Sequence, residues 1–288
     1  MAGPLEGIRV LNWSQFTPSS AGYILGDLGA DVIKIEHPVQ GDAYRGMGTM
    51  YGSAMSMKGG RHAGFEAVNR NQRSMTLDLR QDEGREILYR LVEQTDVFFT
   101  NYTRRVAKDL QADYTTLSAK KPDLIYAVSS TYGPEGPWAE RRGFDTVVQT
   151  ISGITSRQGE LFPGAEAGPQ FYPVSAIDYL TGYLMAFGAS VALRRRVREG
   201  GSWLVRISLA QTGRWLVGRG QVPESEAKGA PTEFTPEEVE RWSMTSDTPM
   251  GKLGHLGPVI GLSETPPRWA RPSVPLGYHD AVWPERGS

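Results

Sequence analysis

The chain has 288 residues, enough for one large domain or two small ones, and its 39% apolar and 22% charged residues are ordinary for a globular protein. A net charge of -1 gives no overall field that would attract nucleic acid or an anionic membrane. Cysteine is absent and the four histidines are widely spaced, so we expect no disulfide, thiol chemistry, metal site or serine triad.

The first part of the chain predicts a β-α-β unit. Residues 7–13 and 31–36 are short apolar runs typical of strands, and residues 19–30 between them have helical spacing with one apolar face. Such a unit is typical of a parallel sheet with crossover helices. Residues 38–64 are rich in Gly and Met without periodicity, and they predict a long surface loop.

The alternation of strands and helices continues to residue 209. Further strands are predicted at 74–79, 96–101, 123–130 and 202–209. Further helices are predicted at 81–95, 104–110, 114–122 and 173–196, and the stretch 144–159 is predicted to start as a helix. We therefore expect an α/β fold with an open, doubly wound, Rossmann-like parallel sheet and helices on both faces, which binds ligands at the carboxyl ends of its strands. No GxGxxG or GxxxxGKS phosphate loop occurs.

The most apolar stretch is residues 173–196, PVSAIDYLTGYLMAFGASVALRRR. It is near the minimum length for a membrane span, but polar and small residues dilute it, so we predict a buried core helix. Asp178 stands alone at its head, where it is either a helix cap or a reactive group. The first residues of the chain lack the pattern of a signal peptide, and we expect a cytoplasmic protein with no membrane contact.

The character of the sequence changes after residue 216. We predict a large α/β domain over residues 1–216, then a linker over 217–250 that contains one short acidic helix at 236–242. Residues 251–288 are rich in proline, which favours an extended tail packed back on the domain. The expected anchors of this tail are Leu256, Val259, Leu262, Trp269 and Leu276.

Six segments in order carry a resemblance to a known family. They are PLEGIRVLNWS, LGDLGADVIKIEHPVQGDAYR, VNRNQRSMTLDLRQDEGREILYRLVEQTDVFFTNY, PDLIYAVSSTYGPEGPW, GFDTVVQTISGITSRQGE, and the apolar stretch followed by SWLVRISLAQTG. Together they resemble the class III CoA-transferases, the family of the formyl-CoA, carnitine and bile-acid CoA-transferases. Each segment is weak evidence by itself, whereas six in order are specific.

The resemblance implies that Asp178 is a covalent nucleophile. In the family the matching aspartate attacks an acyl-CoA thioester to give a mixed anhydride, and CoA then forms an aspartyl-CoA thioester that an incoming acid reverses. Covalent catalysis of this kind divides one difficult transfer into easier steps. CoA or acyl-CoA is then a substrate, and the family mechanism uses no metal.

The resemblance also implies a set of residues that contact CoA. They are His37, Asn69, Asn71, Arg73, Asn101, Tyr102, Arg104, Tyr132, Gly133 and Asp145. Structural explanations stay open for several of them: a surface loop for His37, polar residues at a strand entry for the segment 68–73, and a core aromatic for Tyr102. Arg104 and its neighbour Arg105 stand where relatives have proline and glycine, and they either bind phosphate or solvate a helix.

Three departures from the family pattern bear on the function. Ser19 and Ser20 replace a glycine-proline pair, and Thr17 stands near a family glutamine, so formyl or oxalyl specificity is not expected. Phe144 replaces the histidine that related racemases use as an acid or base, which disfavours racemisation by that route. The small second domain of the family also has no counterpart between the sixth strand and the tail.

Three functions remain open at this point. The first is CoA transfer between carboxylic acids, in an interlocked homodimer or a complex with a related subunit. The second is a CoA-binding or scaffold subunit that needs a partner chain to cover its site. The third is an acyl-CoA racemase or isomerase that pairs Asp145 with Asp178. The acyl group is not predicted.

Overall fold

The computed structural model describes residues 3–16, 20–47, 55–162, 168–231 and 233–285. Its largest element is a six-stranded sheet in which all neighbouring strands are parallel. The strands are β1 (Arg9–Trp13), β2 (Asp31–Glu36), β3 (Gln72–Thr76), β4 (Val97–Thr100), β5 (Ile125–Ser130) and β6 (Trp203–Ser208). The central strands are buried along their whole length, as expected for a parallel sheet covered by helices.

The strands lie in the order β3-β2-β1-β4-β5-β6. The winding reverses between β1 and β4, where the crossover connections on either side run in opposite directions. In sheets of this kind the reversal opens a crevice at the carboxyl ends of the strands, and ligands bind there. The order confirms the predicted Rossmann-like α/β fold.

Helices cover both faces of the sheet. They are α1 (Ser20–Asp27), α2 (Ala63–Val68), α3 (Asp82–Val92), α4 (Arg104–Asp109), α5 (Tyr114–Lys120), α6 (Asp145–Ile151), α7 (Ile154–Leu161), α8 (Ala176–Glu199), α9 (Leu209–Val217), α10 (Glu224–Lys228) and α11 (Pro236–Trp242). One buried cluster joins α1 and α8 to the first face, for example through Ile24 and Met185. A second joins α3 and α5 to the opposite face, for example through Leu88 and Leu117.

Several predicted boundaries differ from those in the structure. The predicted loop at 38–64 contains a short 3₁₀ helix (Ala43–Arg45) and the start of α2, while residues 48–54 lie outside the described part of the chain. Residues 144–159, which were predicted to start as a helix, form two helices, α6 and α7. Gly153 separates them because its φ of 79° lies in the left-handed region that favours glycine.

Helix α8 is the one helix among the described residues that is long and apolar enough to cross a membrane. Half of its most apolar window is buried, against α1, α9 and strands β5 and β6. Gly188 lies so close to β6 that an added Cβ would stand 2.7 Å from the Val205 side chain. The packing is that of a core helix, in agreement with the prediction.

The segment predicted as linker and tail contains a β-hairpin. Strands β7 (Ser243–Thr248) and β8 (Gly251–Leu256) pair in antiparallel register around a turn in which Gly251 has a φ of 109°. Beyond it, Trp269 Nε1 donates to an Asp27 carboxylate oxygen at 3.1 Å, and Trp283 Nε1 donates to a backbone carbonyl of α3 at 3.0 Å. Two expected anchors do not pack, since Leu256 is 46% and Val259 is 84% exposed.

Candidate active site

Two loops meet where the winding of the sheet reverses. The Asn101 side chain follows β4 and accepts from the Gln15 backbone N–H at 3.0 Å, while its Nδ2 donates to the Gln15 carbonyl oxygen at 2.7 Å. Because both hydrogen-bonding groups of Asn101 hold the loop after β1, its first role is to fix the shape of the crevice. The predicted position of Asn101 at a strand end is thus found in the structure.

Tyr102 is held beside this crevice. Its ring stacks on Trp13 with centroids 4.2 Å apart, and its hydroxyl oxygen accepts from Gln15 Nε2 at 2.5 Å. Burial, followed by the nearby charge of Asp42, raises the pKa of Tyr102 to about 12, so the phenol is neutral at physiological pH. One face of the ring is occupied by Trp13, which leaves only the other face and the edge for a ligand.

Asp178 lies in the first turn of α8, at the same edge of the sheet. The helix begins after Ser175, so Asp178 is its third residue and not its N-cap. The side chain is buried, with 7% of the residue exposed. Since α8 begins at the carboxyl edge of the sheet, this turn lies above the strand ends, where the helix dipole favours an anion.

Asp145 caps this turn from outside the helix. One of its carboxylate oxygens accepts from the Asp178 backbone N–H at 3.0 Å, and the other accepts from Gln149 Nε2. Gln149 Oε1 in turn accepts from the Tyr172 backbone N–H at 2.8 Å. Asp145 and Gln149 are both buried, so this chain of hydrogen bonds fixes the start of α8 rigidly.

The electrostatics of Asp178 follow from this arrangement. Burial first, and the neighbouring negative charge of Asp145 second, raise the pKa of Asp178 well above its usual value. Two carboxyl groups close together in a buried place are typical of functional sites. The carboxylate form of Asp178 is poorly solvated, and it is correspondingly reactive when it is present.

A group of buried charges that we did not single out from the sequence supports the loop after β1. Lys34 Nζ lies 2.8 Å from Asp42 Oδ2 and donates to the Ser14 carbonyl oxygen at 3.0 Å. Asp42 Oδ1 accepts from the Phe16 backbone N–H at 3.1 Å. Lys34 and Asp42 are each 1% exposed. Both belong to the segment DVIKIEHPVQGDAYR, and its resemblance to the family was the only indication in the sequence that they matter.

Glu36 extends this group of buried charges. It accepts two hydrogen bonds of 2.7 Å from Arg45, and others from the Ser74 hydroxyl and the Asp42 backbone N–H. Burial opposes ionisation, but the Arg45 hydrogen bonds and the charge of Lys34 outweigh it and lower the pKa of Glu36. The loop after β1 therefore rests on a fully paired ionic support, not on apolar packing.

Phe144 precedes α6 and is 54% exposed. Its ring meets Phe16 edge to face, with centroids 5.4 Å apart, so these aromatic side chains form one wall of the edge where Asp178 lies. Phe16 has a φ of 60°, a conformation uncommon for a bulky residue, and the hydrogen bond to Asp42 helps to hold it. Thr17 and Ser19, two of the predicted departures, lie outside the described residues.

The loop after β5 contributes Tyr132 and Gly133. Gly133 has a φ of 97°, and its N–H donates to the Ser130 hydroxyl at 3.1 Å. The Tyr132 ring meets Trp138 edge to face at 5.2 Å. Both residues line a groove of about 590 Å³ that is also bordered by Ser208 and other residues of β6 and α9. They lie at the carboxyl edge of the sheet, as predicted.

A larger groove of about 840 Å³ runs from Tyr102 along α4. Its basic side chains are Arg104, Arg105, Lys108, Arg142 and Arg206, and its acidic ones are Asp113 and Glu140. Arg104 makes an exposed ion pair with Glu140, with Nε and Oε1 3.1 Å apart. The excess of positive charge suits a ligand that carries several phosphates.

Four residues predicted to contact CoA either lie away from the carboxyl edge of the sheet or already bond to other groups of the protein. They are His37, Asn69, Asn71 and Arg73. His37 caps a turn, because its Nδ1 accepts from the backbone N–H groups of Val39 and Gln40 at 3.2 Å. Asn69 ends α2 and donates to the carbonyl oxygen of Phe65 at 2.9 Å. His37 follows the carboxyl end of β2, whereas Asn69 precedes β3.

Asn71 and Arg73 lie at the amino end of β3. Asn101 and Asp178 lie at the opposite edge of the sheet, where the carboxyl ends of the strands meet. Asn71 Nδ2 donates to Asp27 at 2.6 Å and to a tail carbonyl, while its Oδ1 accepts from two tail N–H groups. Arg73 faces Asp31, with Nε and Oδ1 4.0 Å apart. The segment 68–73 therefore anchors the tail, and a role in CoA binding stays a prediction.

A third cavity of about 530 Å³ lies beside Tyr179, the neighbour of Asp178. Helix α2, the hairpin and the tail enclose it, mainly with apolar side chains such as Leu253. Arg70 also lines it. Its guanidinium lies 4.2 Å from the Tyr23 ring centroid and 3.4 Å from that of Trp269, and its Nε is buried without a hydrogen-bond partner.

Comparisons with known proteins show the family of the chain. The model of CoA-transferase family III matches residues 5–277. The chain is 34% identical over 198 residues to the succinate–glutarate CoA-transferase of Agrobacterium fabrum, covering 68% of this chain and 48% of that protein. It is 33% identical over 208 residues to the alpha subunit of the succinyl-CoA–L-malate CoA-transferase of Chloroflexus aurantiacus, covering 72% and 46%.

A solved structure is similar as well. The crystal structure of a CAIB/BAIF family protein from Brucella suis has a TM-score of 0.67 and 30% identity, covering 88% of this chain and 65% of that one. The chain spans about half the length of the curated relatives it matches.

Proposed function

Because the chain belongs to CoA-transferase family III, we propose that it is an enzyme that transfers coenzyme A from an acyl-CoA to a carboxylic acid. The observation that carries the proposal is Asp178. It is a buried carboxyl group in the first turn of α8, beside a second carboxyl group and at the ligand-binding edge of a doubly wound sheet.

We assign Asp178 the role of nucleophile. Its carboxylate oxygen attacks the thioester carbonyl, the carbon–sulfur bond breaks, and CoA leaves as a thiolate from a mixed anhydride. The thiolate then attacks the Asp178 carbonyl and releases the first acid as a carboxylate, which leaves an aspartyl-CoA thioester. The acceptor carboxylate attacks that thioester, and the released thiolate attacks the acceptor carbonyl, which restores Asp178. No net proton is transferred, so the site needs charge stabilisation more than an acid or base.

We place the nucleotide of CoA in the groove along α4. Arg104, Arg105 and Lys108 lie there beside the crevice between β1 and β4, and they supply positive charge for the phosphates. The pantetheine arm then passes the Tyr132–Gly133 loop towards Asp178. Asp145 positions the nucleophile by holding its backbone N–H, so a direct contact with CoA is not required of it.

We propose a dicarboxylic acid as one substrate, because the relatives named above act on succinate, glutarate and malate. The cavity beside Tyr179 supplies a place for the acid, where Arg70, which also pairs with Asp27, adds positive charge for the second carboxylate. Exchange should then favour succinate over butyrate, and Leu253→Trp, which fills the cavity, should remove the preference. Equal rates for the two acids would contradict this choice of substrate.

Mass spectrometry tests the nucleophile. The protein is incubated with succinyl-CoA, trapped with hydroxylamine, digested and searched for modification at Asp178. We expect modification in the wild type, none in Asp178→Ala, and full modification in Asp82→Ala, which removes an exposed acid from the first turn of α3. Equal exchange of label between acyl-CoA and acid by wild type and Asp178→Ala would refute the proposal.

Two other functions give different results in the same experiment. A non-catalytic subunit would bind CoA without being modified, and turnover would appear only after a second polypeptide is added. One relative is named as an alpha subunit, which is the reason for including a second polypeptide in the experiment. A racemase would introduce solvent deuterium at the α-carbon of the acyl group. Dimer formation and a cytoplasmic location stay predictions.

A further inference from the structure

Ser20 carries an unexplained buried hydroxyl. It is the first residue of α1, it is 0% exposed, and its Oγ has no hydrogen-bond partner. An unpartnered polar group in a protein interior costs free energy, and in native structures it calls for a specific explanation such as a catalytic role. The first residue of α1 is at the carboxyl edge of the sheet, where the chain leaves β1.

The hydroxyl lies against the helix that carries the nucleophile. A Cβ placed on Gly182 would stand 1.9 Å from Ser20 Oγ and 3.4 Å from the Ala21 backbone nitrogen. The absence of a side chain at Gly182 is therefore what allows the start of α1 to approach α8 so closely. The first turn of a helix also has backbone N–H groups without partners inside the helix.

Gly182 is one helical turn beyond Asp178, on the same face of α8. Residues four apart on a helix have Cβ atoms about 5–6 Å from each other, so Ser20 Oγ, close to the place of a Gly182 Cβ, lies about one helical turn from the Cβ of Asp178. Both residues of α8 are buried, and Gly182 faces the first turn of α1. The positive end of the α1 dipole is directed at the same region.

We propose that Ser20 is a catalytic residue whose hydroxyl donates a hydrogen bond to the carbonyl oxygen of the acyl groups formed on Asp178. This inference rests on the proposed function. When the CoA thiolate attacks the Asp178 anhydride, the carbonyl oxygen becomes an oxyanion while the carbon–sulfur bond forms. The oxyanion then collapses and the carboxylate of the first acid leaves. Ser20 keeps its proton throughout and stabilises charge only, together with the first N–H groups of α1.

The arrangement explains why an unsatisfied hydroxyl is retained. In the resting protein Ser20 Oγ makes no hydrogen bond, whereas the oxyanion that forms on the Asp178 oxygen is a much stronger acceptor for it. The hydrogen bond is therefore made only during the reaction, which is the condition for raising the rate and not merely the affinity.

The test compares Ser20→Ala with Ser190→Ala, a matched loss of a hydroxyl from α8 about 18 Å further along the helix. Ser190 Oγ donates to the carbonyl oxygen of Ala186 and is remote from Asp178. We expect Ser20→Ala to slow modification of Asp178 and kcat by about 100-fold, with KM for acyl-CoA unchanged. Its melting temperature should equal or exceed that of wild type, because the unsatisfied group is gone. Ser190→Ala should keep the wild-type rate.

The outcomes separate this inference from the proposed function. If wild type is active and Ser20→Ala is equally fast, the role of Ser20 is wrong and the function of Asp178 stands. If Ser20→Ala melts lower and loses affinity for acyl-CoA in parallel with rate, Ser20 is structural and the inference is wrong. Ser20→Cys, which has a weak donor, should be intermediate in rate, and equality with Ser20→Ala at full stability would also contradict it. If wild type neither exchanges label nor becomes modified, both proposals fail.

Discussion

Asp27 should make the stability of the protein depend on pH in an unusual direction. Its carboxylate accepts from Asn71 Nδ2 at 2.6 Å and from Trp269 Nε1 at 3.1 Å, and Arg70 Nη2 is 3.8 Å away. Burial raises the pKa of Asp27 to about 6, against the lowering effects of Arg70, Asn71 and Trp269. In the unfolded chain the value returns to 3.8. The folded protein thus binds this proton more tightly than the unfolded chain does.

The sign follows from that difference. The contribution of Asp27 to stability is complete below pH 3.8 and is lost as the pH rises through about 6. One pKa unit corresponds to about 1.4 kcal/mol, so the shift corresponds to about 3 kcal/mol in full, and to about 2 kcal/mol between pH 7 and pH 4. Asp27 is only 12% exposed, so solvent screening reduces the figure little.

Urea denaturation at several pH values measures the effect. The wild type and Asp27→Asn are unfolded between pH 4 and pH 7, and the difference between their free energies of unfolding is plotted against pH. The wild type should gain about 2 kcal/mol relative to the variant on acidification. The matched variant Asp109→Asn, at the end of α4, should follow the wild type. Parallel curves for wild type and Asp27→Asn would refute the reasoning.

Three further predictions concern the site and its supports. Asp145→Asn keeps an acceptor for the Asp178 backbone N–H but removes the charge that raises the pKa of Asp178. The pH–rate profile should therefore move to lower pH. An unchanged profile would show that Asp145 does not influence the nucleophile. Asp42→Ala leaves Lys34 buried without its partner and should cost about 3–5 kcal/mol in urea unfolding, whereas a loss below about 1 kcal/mol would mean that the pair is not essential. Gly153→Ala should cost about 1–2 kcal/mol in the same assay, because its φ of 79° is strained for a residue with a Cβ.

The sequence predicted the sheet well because its strands are short β-branched runs separated by periodic helices. It located Asn101, Tyr132 and Asp178 at strand or helix ends, and the structure brings all three to one edge. Asn71 stands at the entry of β3, as its structural explanation expected, and its contact with CoA stays a prediction. Its four side-chain hydrogen bonds lie with Asp27 and the tail.

The hairpin and the ionic support of the first loop were harder to foresee. Strands β7 (SMTSDT) and β8 (GKLGHL) bury one face only partly and with few apolar residues, so they lack the alternation of apolar and polar residues that reveals a strand. Lys34 sits in an apolar run, but no local pattern indicates that Asp42 is its partner. Such pairings form only when distant segments meet in the folded chain.

The contact between the tail and β3 protects the sheet against self-association. β3 is an edge strand, and an uncovered edge offers unpaired N–H and C=O groups to any other strand. Here the His279 N–H donates to the Ser74 carbonyl, His279 Nδ1 accepts from the Ser74 N–H, and the Gly277 N–H donates to the Ser74 hydroxyl. The tail thus occupies the backbone N–H and C=O of Ser74, in the middle of the edge to which another molecule would add a strand. Removal of residues after 267 would expose a ready template for edge-to-edge aggregation, even where the core and Asp178 are unchanged.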